Sequence, residues 1–269
     1  MNGRTRTEKF AQLNGAQRVW AVASVHGDAE RLARLHDRIA GRFEPGDRIV
    51  YLGNYLGRCA AVAATIDEML DFRRRLLARP HGFACDAVYL RGAQEEMWQK
   101  LLQLQFAPNP SEVLDWMVRE GIAATVAAYG GELRQGFAAA RDGPRTITRW
   151  TSALRNAMNA APGHTALFSG LYHAALTEDG RLLFVHAGVA PSRPLAAQGD
   201  AFWWSDRDIV DLAAPFAGFD LVVRGFDRQL RGLVEGEFAV SLDAGAGRGG
   251  PLLAAAFAPD GAVLEVVEG

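Results

Sequence analysis

The sequence is poor in several things at once. It has two cysteines, Cys59 and Cys85, in 269 residues. That excludes a disulfide-stapled scaffold and a cysteine-rich zinc module, and two free thiols in a reducing compartment are expected. No stretch approaches the roughly 18 consecutive apolar residues of a membrane-spanning helix. Neither sign of charge dominates: 29 Lys and Arg stand against 31 Asp and Glu, a formal net charge of −2. Such a balance does not point to nucleic acid or to an anionic membrane as a partner. Residues 1–17 are polar and lack the apolar core of a secretory signal. They read as a flexible tail, and a cytoplasmic location is expected. No internal repeat is visible.

What is present is an ordinary globular composition, 49% hydrophobic and 22% charged. It suits a single domain over residues 18–269. Short apolar or alternating runs bounded by Gly, Asp or Pro predict strands at Val19–Ser24, Arg48–Gly53, Asp86–Arg91, Leu182–His186, Leu221–Arg224, Phe238–Leu242, Leu252–Phe257 and Val263–Val267. Helical periodicity follows the first three, over Ala29–Arg42, Ala60–Ala78 and Glu95–Leu104. Residues 96–160 read as a mostly helical cap insert, with Ser111 capping a helix that runs to Glu120 and a further helix over Thr146–Asn159. Strand–helix alternation followed by consecutive strands predicts a layered α/β domain whose later strands form a second sheet.

Five loops at the carboxyl ends of predicted strands share a theme. They read Ala-Val-Ala-Ser-Val-His-Gly at 21–27, Leu-Gly-Asn-Tyr-Leu-Gly-Arg-Cys at 52–59, Leu-Arg-Gly-Ala-Gln-Glu at 90–95, Val-His-Ala-Gly at 185–188 and Val-Arg-Gly-Phe-Asp at 223–227. The carboxyl edge is where ligands bind in open α/β sheets. In order and spacing these loops resemble the calcineurin-like metallophosphoesterases, in their bacterial serine/threonine protein phosphatase branch. The likeness runs over nearly the whole chain, including 116–131 and 242–250. It implies a two-sheet mixed β-sandwich flanked by helices, and two divalent metals such as Mn or Fe/Zn that activate a water for attack on phosphate.

The positions that the resemblance assigns to metal ligands are mostly filled by other residues. Ser24 and Asn54 stand for two aspartates, Ala93 for an asparagine, and Arg224 and Phe226 for two histidines. Only His26 and His186 keep a ligand type, and two imidazoles cannot hold two ions. The catalytic histidine is Gln94, and the aspartate that would orient it is Gly57. No cofactor is therefore expected. Arg58 stands where the resemblance places a phosphate-contacting arginine. With Arg91, Arg224, His26 and His186 it would line a cationic concavity for a phosphate-bearing small molecule or phosphoprotein. The alternative is an active enzyme with an altered metal site, drawing on Asp28, Glu95 or Asp227. Among other residues, Arg248 is expected to point inward from the glycine-rich loop 244–250. Trp203 and Trp204 are expected to form an apolar wall near the active edge, packed in the core rather than exposed as a partner surface. His164 is expected to be structural, and His36, His81 and His173 to sit in solvent or at the edge of the core.

Overall fold

The computed structural model describes residues 9–205 and 207–269. Three strand–helix units come first: β2 (Arg18–Val22) with α1 (Ala29–Ala40), β3 (Asp47–Tyr51) with α2 (Val62–Leu77), and β4 (Ala87–Tyr89) with α3 (Ala93–Leu101). They are preceded by a short strand, β1 (Phe10–Leu13). The helical insert follows as α4 (Pro110–Arg119), α5 (Ala123–Ala128), α6 (Leu133–Asp142), α7 (Pro144–Ala160) and α8 (His164–Ser169). The remainder is β5 (Ala174–Thr177), β6 (Leu182–Val185), α9 (Ala201–Trp204), β7 (Leu221–Arg224), β8 (Val234–Glu235), β9 (Ala239–Ser241), β10 (Leu253–Phe257) and β11 (Val263–Glu268). Among the described residues no helix is long and apolar enough to cross a membrane.

The strands form two mixed sheets, ordered β11-β10-β2-β3-β4 and β1-β5-β6-β7-β9-β8. β2, β3 and β4 are parallel, as their helical crossovers require. The second sheet does not take all the later strands. β10 returns to pair antiparallel with β2, and β11 pairs antiparallel with β10. The expected tail also ends early. Phe10–Leu13 pairs in parallel with Ala174–Thr177 and forms an edge of the second sheet; residues 1–8 of that tail lie outside the described residues.

Alternation along each strand divides the side chains between three apolar layers. Ala21, Val50 and Phe257 meet Phe184, Val223 and Val240 between the sheets. Trp20, Ile49 and Tyr51 face α1 and α2, and this layer continues without a break into the helical insert through Leu114, Ile147 and Leu154. The insert therefore has no separate core. Val222 and Leu183 pack outward against Phe202 and Trp203.

Two helix starts differ from expectation. α4 begins at Pro110 with Asn109 before it, because proline's fixed φ and missing N–H suit the first helical position better than Ser111 does. α7 likewise starts at Pro144 and not Thr146. His36 is not at the edge of the core. It is fully buried, with Nε2 on the Tyr51 hydroxyl at 2.7 Å and Nδ1 on Glu68 at 2.6 Å. His164 is structural as expected, bridging Tyr129 at 2.9 Å and Asp67 at 3.1 Å. His81 is exposed, and both cysteines are free.

Candidate functional site

The loops after β2, β3 and β4 meet the loop after β7 and the 244–250 loop around a cleft of about 290 Å³. The backbone at this edge is contorted. His26, Asn54 and Arg58 all have positive φ, at 56°, 55° and 42°. Three non-glycine residues in the left-handed region within two facing loops carry a real conformational cost, about 1 kcal/mol or more each. Glu95 helps to hold them there. Its buried carboxylate accepts the backbone N–H groups of Asn54 and Tyr55 at 2.8 Å each, of Leu56 at 3.1 Å and of Gly92 at 2.8 Å. Burial pushes the carboxyl pKa up, while these donors pull it down.

Asn54 is central to what the cleft can hold. Its Oδ1 accepts the Gln94 backbone N–H at 2.9 Å, and a backbone N–H can only donate, so the amide orientation is fixed. Nδ2 then faces His26 Nε2 at 3.5 Å and Ser24 Oγ at 3.4 Å. The Ser24 hydroxyl donates to the Gly225 carbonyl at 2.8 Å. Thus an N–H donor occupies the place where the resemblance puts a bridging carboxylate. Ser24 and His26 do not form a nucleophile–base pair either, because the serine proton is committed to a backbone carbonyl.

The other surviving imidazole is covered. His186 donates from Nδ1 to the Leu52 carbonyl at 2.7 Å, which leaves Nε2 with a lone pair. Phe226 stacks on the ring, with centroids 5.4 Å apart and planes 20° apart. His186 is buried and does not line the cleft, whereas Phe226 does. Burial lowers the His186 pKa to about 4. Burial, followed by the charges of Arg58 and neighbouring groups, lowers that of His26 to about 3. Both rings are neutral at physiological pH.

Of the expected site residues, His26, Asn54, Arg58 and Gln94 line the cleft. Ser24 lies beneath it, fully buried. Arg91 and Arg224 are elsewhere. Arg91 donates to Glu96 at 2.9 Å and to Gln99 at 2.6 Å, beside a separate depression along α3. Arg224 shares the outward face of β7 with Val222, because alternate residues of a strand share a face. There it bonds Ser241 at 3.0 Å and pairs with Asp227 at 3.0 Å and Asp208 at 3.1 Å. The cations that do reach the cleft with Arg58 are Arg248, as expected, and Arg228, which was not singled out from sequence. It lies one residue beyond the 223–227 loop, so a count of cations extended past the loop ends would have found it. Trp203 is buried and Trp204 half-buried, and the two form a wall of the cleft beside Trp116, as expected.

The three carboxylates nearest in sequence to the missing ligand positions are all engaged. Asp28 caps α1 through the Arg31 N–H and pairs with Arg31 at 2.6 Å. Asp227 pairs with Arg224 and Arg231, and Glu95 is surrounded by backbone donors. Among the described residues no group of three His, Cys, Asp or Glu side chains is placed to hold a metal ion. The residues present do not fit the two-ion centre that the resemblance implies. At the place of the missing acid–base pair, a Cβ on Gly57 would meet only the end of the Gln94 side chain, with Oε1 at 2.5 Å, but Gly57 itself holds a left-handed φ of 93° that suits glycine. Gln94 itself donates through Nε2 to the Glu120 carbonyl at 2.8 Å.

Arg58 is the unusual charge. Its guanidinium has no hydrogen bond or ion pair among the described residues, and its Nε is buried. Burial lowers its pKa, and the like charge of Arg248 lowers it further. Glu120 and Asp243 act on Arg58 through space but bond to none of its guanidinium nitrogens, so the two neighbouring guanidiniums keep donors free for an anion.

No protein family profile matches the chain, and no curated sequence does. Solved structures do. One is a candidate diadenosine tetraphosphatase at 21% identity, with a TM-score of 0.56, covering 97% of this chain and 98% of that one. Another is a Saccharomyces cerevisiae protein serine/threonine phosphatase with similarity to human phosphatase PP5, at 14% identity and a TM-score of 0.56, covering 94% and 78%. A third is a cold-active protein-tyrosine phosphatase from a psychrophilic Shewanella, at 14% identity and 0.53, covering 96% and 82%. The chain thus has the calcineurin-like metallophosphoesterase fold, and at these identities the likeness speaks for the fold alone.

Proposed function

We propose that this chain is a phosphatase-fold protein that binds a phosphate-bearing ligand in its cleft without two-metal hydrolysis. The observation that carries this reading is the pairing of two like charges, Arg58 and Arg248, at the mouth of a cleft with no carboxylate bonded to either among the described residues. A guanidinium recognises phosphate with no metal and no turnover. Hydrolysis would require an activated water and a proton for the leaving group. The residues at those positions, an Asn54 amide facing inward and a Gln94 amide, supply neither.

The test is a calorimetric titration of inorganic phosphate into the protein in the presence of a chelator. Binding is expected, and Arg58→Gln should weaken it at least about tenfold. Turnover of a phosphate ester with added manganese that disappears in His26→Ala would instead establish an enzyme with an altered metal site.

A further inference from the structure

Arg58 and the aromatic wall of the cleft meet at one helix end. Arg58 is clamped to the turn that closes α4: its backbone N–H donates to the Gly121 carbonyl at 3.2 Å, and a Cβ on Gly121 would lie 2.9 Å from Arg58 Cγ. Trp116 lines the same cleft one helical turn earlier, where its carbonyl accepts the Glu120 N–H at 3.1 Å. Trp204 leans on Trp116 at 5.6 Å between ring centroids, with 58° between planes. Phe226 lines the cleft as well, with one face stacked on His186. These three rings are half-buried, so each keeps apolar surface to cover. The charges on the lining, three arginines against one glutamate, leave an excess of two. A phosphomonoester dianion matches that excess by itself, so the rest of the ligand is uncharged. Inorganic phosphate would satisfy the charge and leave the rings against water.

We infer that the ligand is a small aryl phosphomonoester: a phosphate dianion at Arg58 and Arg248, with an uncharged aromatic ring on its ester oxygen packed against Trp116, Trp204 and Phe226. The inference rests on the phosphate reading above and adds the ester group. Aromatic rings gain from offset or edge-on contact with one another beyond the area they bury, which favours an aryl over an alkyl group here. The guanidinium and the tryptophan wall belong to successive turns of one helix end, so the ring sits directly beside the phosphate. A nucleotide, with a sugar between phosphate and base, separates the two further. The size agrees: at about 290 Å³ the cleft lies at the lower limit of small-molecule sites, about 300 Å³ upward, which suits one ring and one phosphate.

The experiment compares phenyl phosphate, cyclohexyl phosphate, glycerol phosphate, AMP and inorganic phosphate by calorimetry on the full chain, with a chelator, at one ionic strength and at a pH where each ester is a dianion. Phenyl phosphate should bind about tenfold more tightly than glycerol phosphate and about threefold more tightly than cyclohexyl phosphate. Trp116→Leu and, separately, Trp204→Leu should bring the ratio of phenyl phosphate to glycerol phosphate affinity towards one. Trp204→Phe should keep the ratio, and Arg58→Gln should weaken both esters alike. The comparison of ligands on the unaltered chain stays decisive if a tryptophan variant does not fold. Equal affinity for phenyl phosphate and glycerol phosphate would overturn the inference and leave the phosphate reading intact. Equal affinity for phenyl and cyclohexyl phosphate would overturn it in favour of any apolar ester, and tighter binding of AMP in favour of a nucleotide. A phosphotyrosine peptide that binds more tightly than phenyl phosphate would assign the ring to a protein side chain and overturn the small-molecule form. Failure of every phosphate compound, inorganic phosphate included, would remove the underlying reading.

Discussion

The loops of the first sheet and those of the second differ in what they leave open to the cleft. After β2 and β3, His26, Asn54 and Arg58 sit on strained backbone and face the cavity, with the Arg58 guanidinium unpartnered among the described residues. After β6 and β7, His186 is sealed under Phe226, and Arg224 is tied into a buried ion network. One side keeps binding capacity at a cost in stability. The other uses its polar groups to secure the fold. Similar loop positions can thus serve recognition on one sheet and cohesion on the next.

Among single substitutions, the largest effect should come from breaking the cohesive side. Arg224→Met would leave Asp227, itself buried, with Arg231 as its remaining cation, and should cost about 3–5 kcal/mol in urea unfolding. Next is acidification. The two imidazoles ordinarily titrate near 6.5, but in the folded chain near 4 for His186 and near 3 for His26. Between those values and 6.5 the unfolded chain binds protons that the folded chain does not. Stability is therefore full above 6.5 and falls as pH drops through the window, by about 3 kcal/mol per ring at pH 4. His186→Gln should remove its share of that slope; an unchanged slope would refute the buried neutral assignment. Glu95→Gln should cost about 2 kcal/mol, because an amide nitrogen would then face backbone N–H donors. Arg58→Gln should have the smallest effect on stability, within about 0.5 kcal/mol, while abolishing most phosphate affinity. A large loss of stability from Arg58→Gln would erase the contrast between the two sides.

Much of this was legible in the sequence, and the rest was hidden for identifiable reasons. Strands β2, β3, β6, β7 and β10 follow from apolar runs ending in glycine-bearing loops, and the replaced ligand positions could be read directly. β1 could not, since Phe10–Leu13 is held by pairing with Ala174–Thr177, far away in the chain. The burial of His36 depends on Glu68 and Tyr51, which only the fold brings beside it. Arg224 is different. Its outward direction was available from alternation with Val223, which faces the inter-sheet layer, but alignment of the motif alone suggested the cleft. The orientation of the Asn54 amide was not available, because it is set by one backbone N–H of α3.

The donors around Asn54 and His26 present no cradle for a pair of dications. A calorimetric titration of manganese into the metal-free chain tests it directly. Weak heats with well under one ion bound per chain are the expected result. A tight, stoichiometric ion lost in His26→Ala would contradict the account.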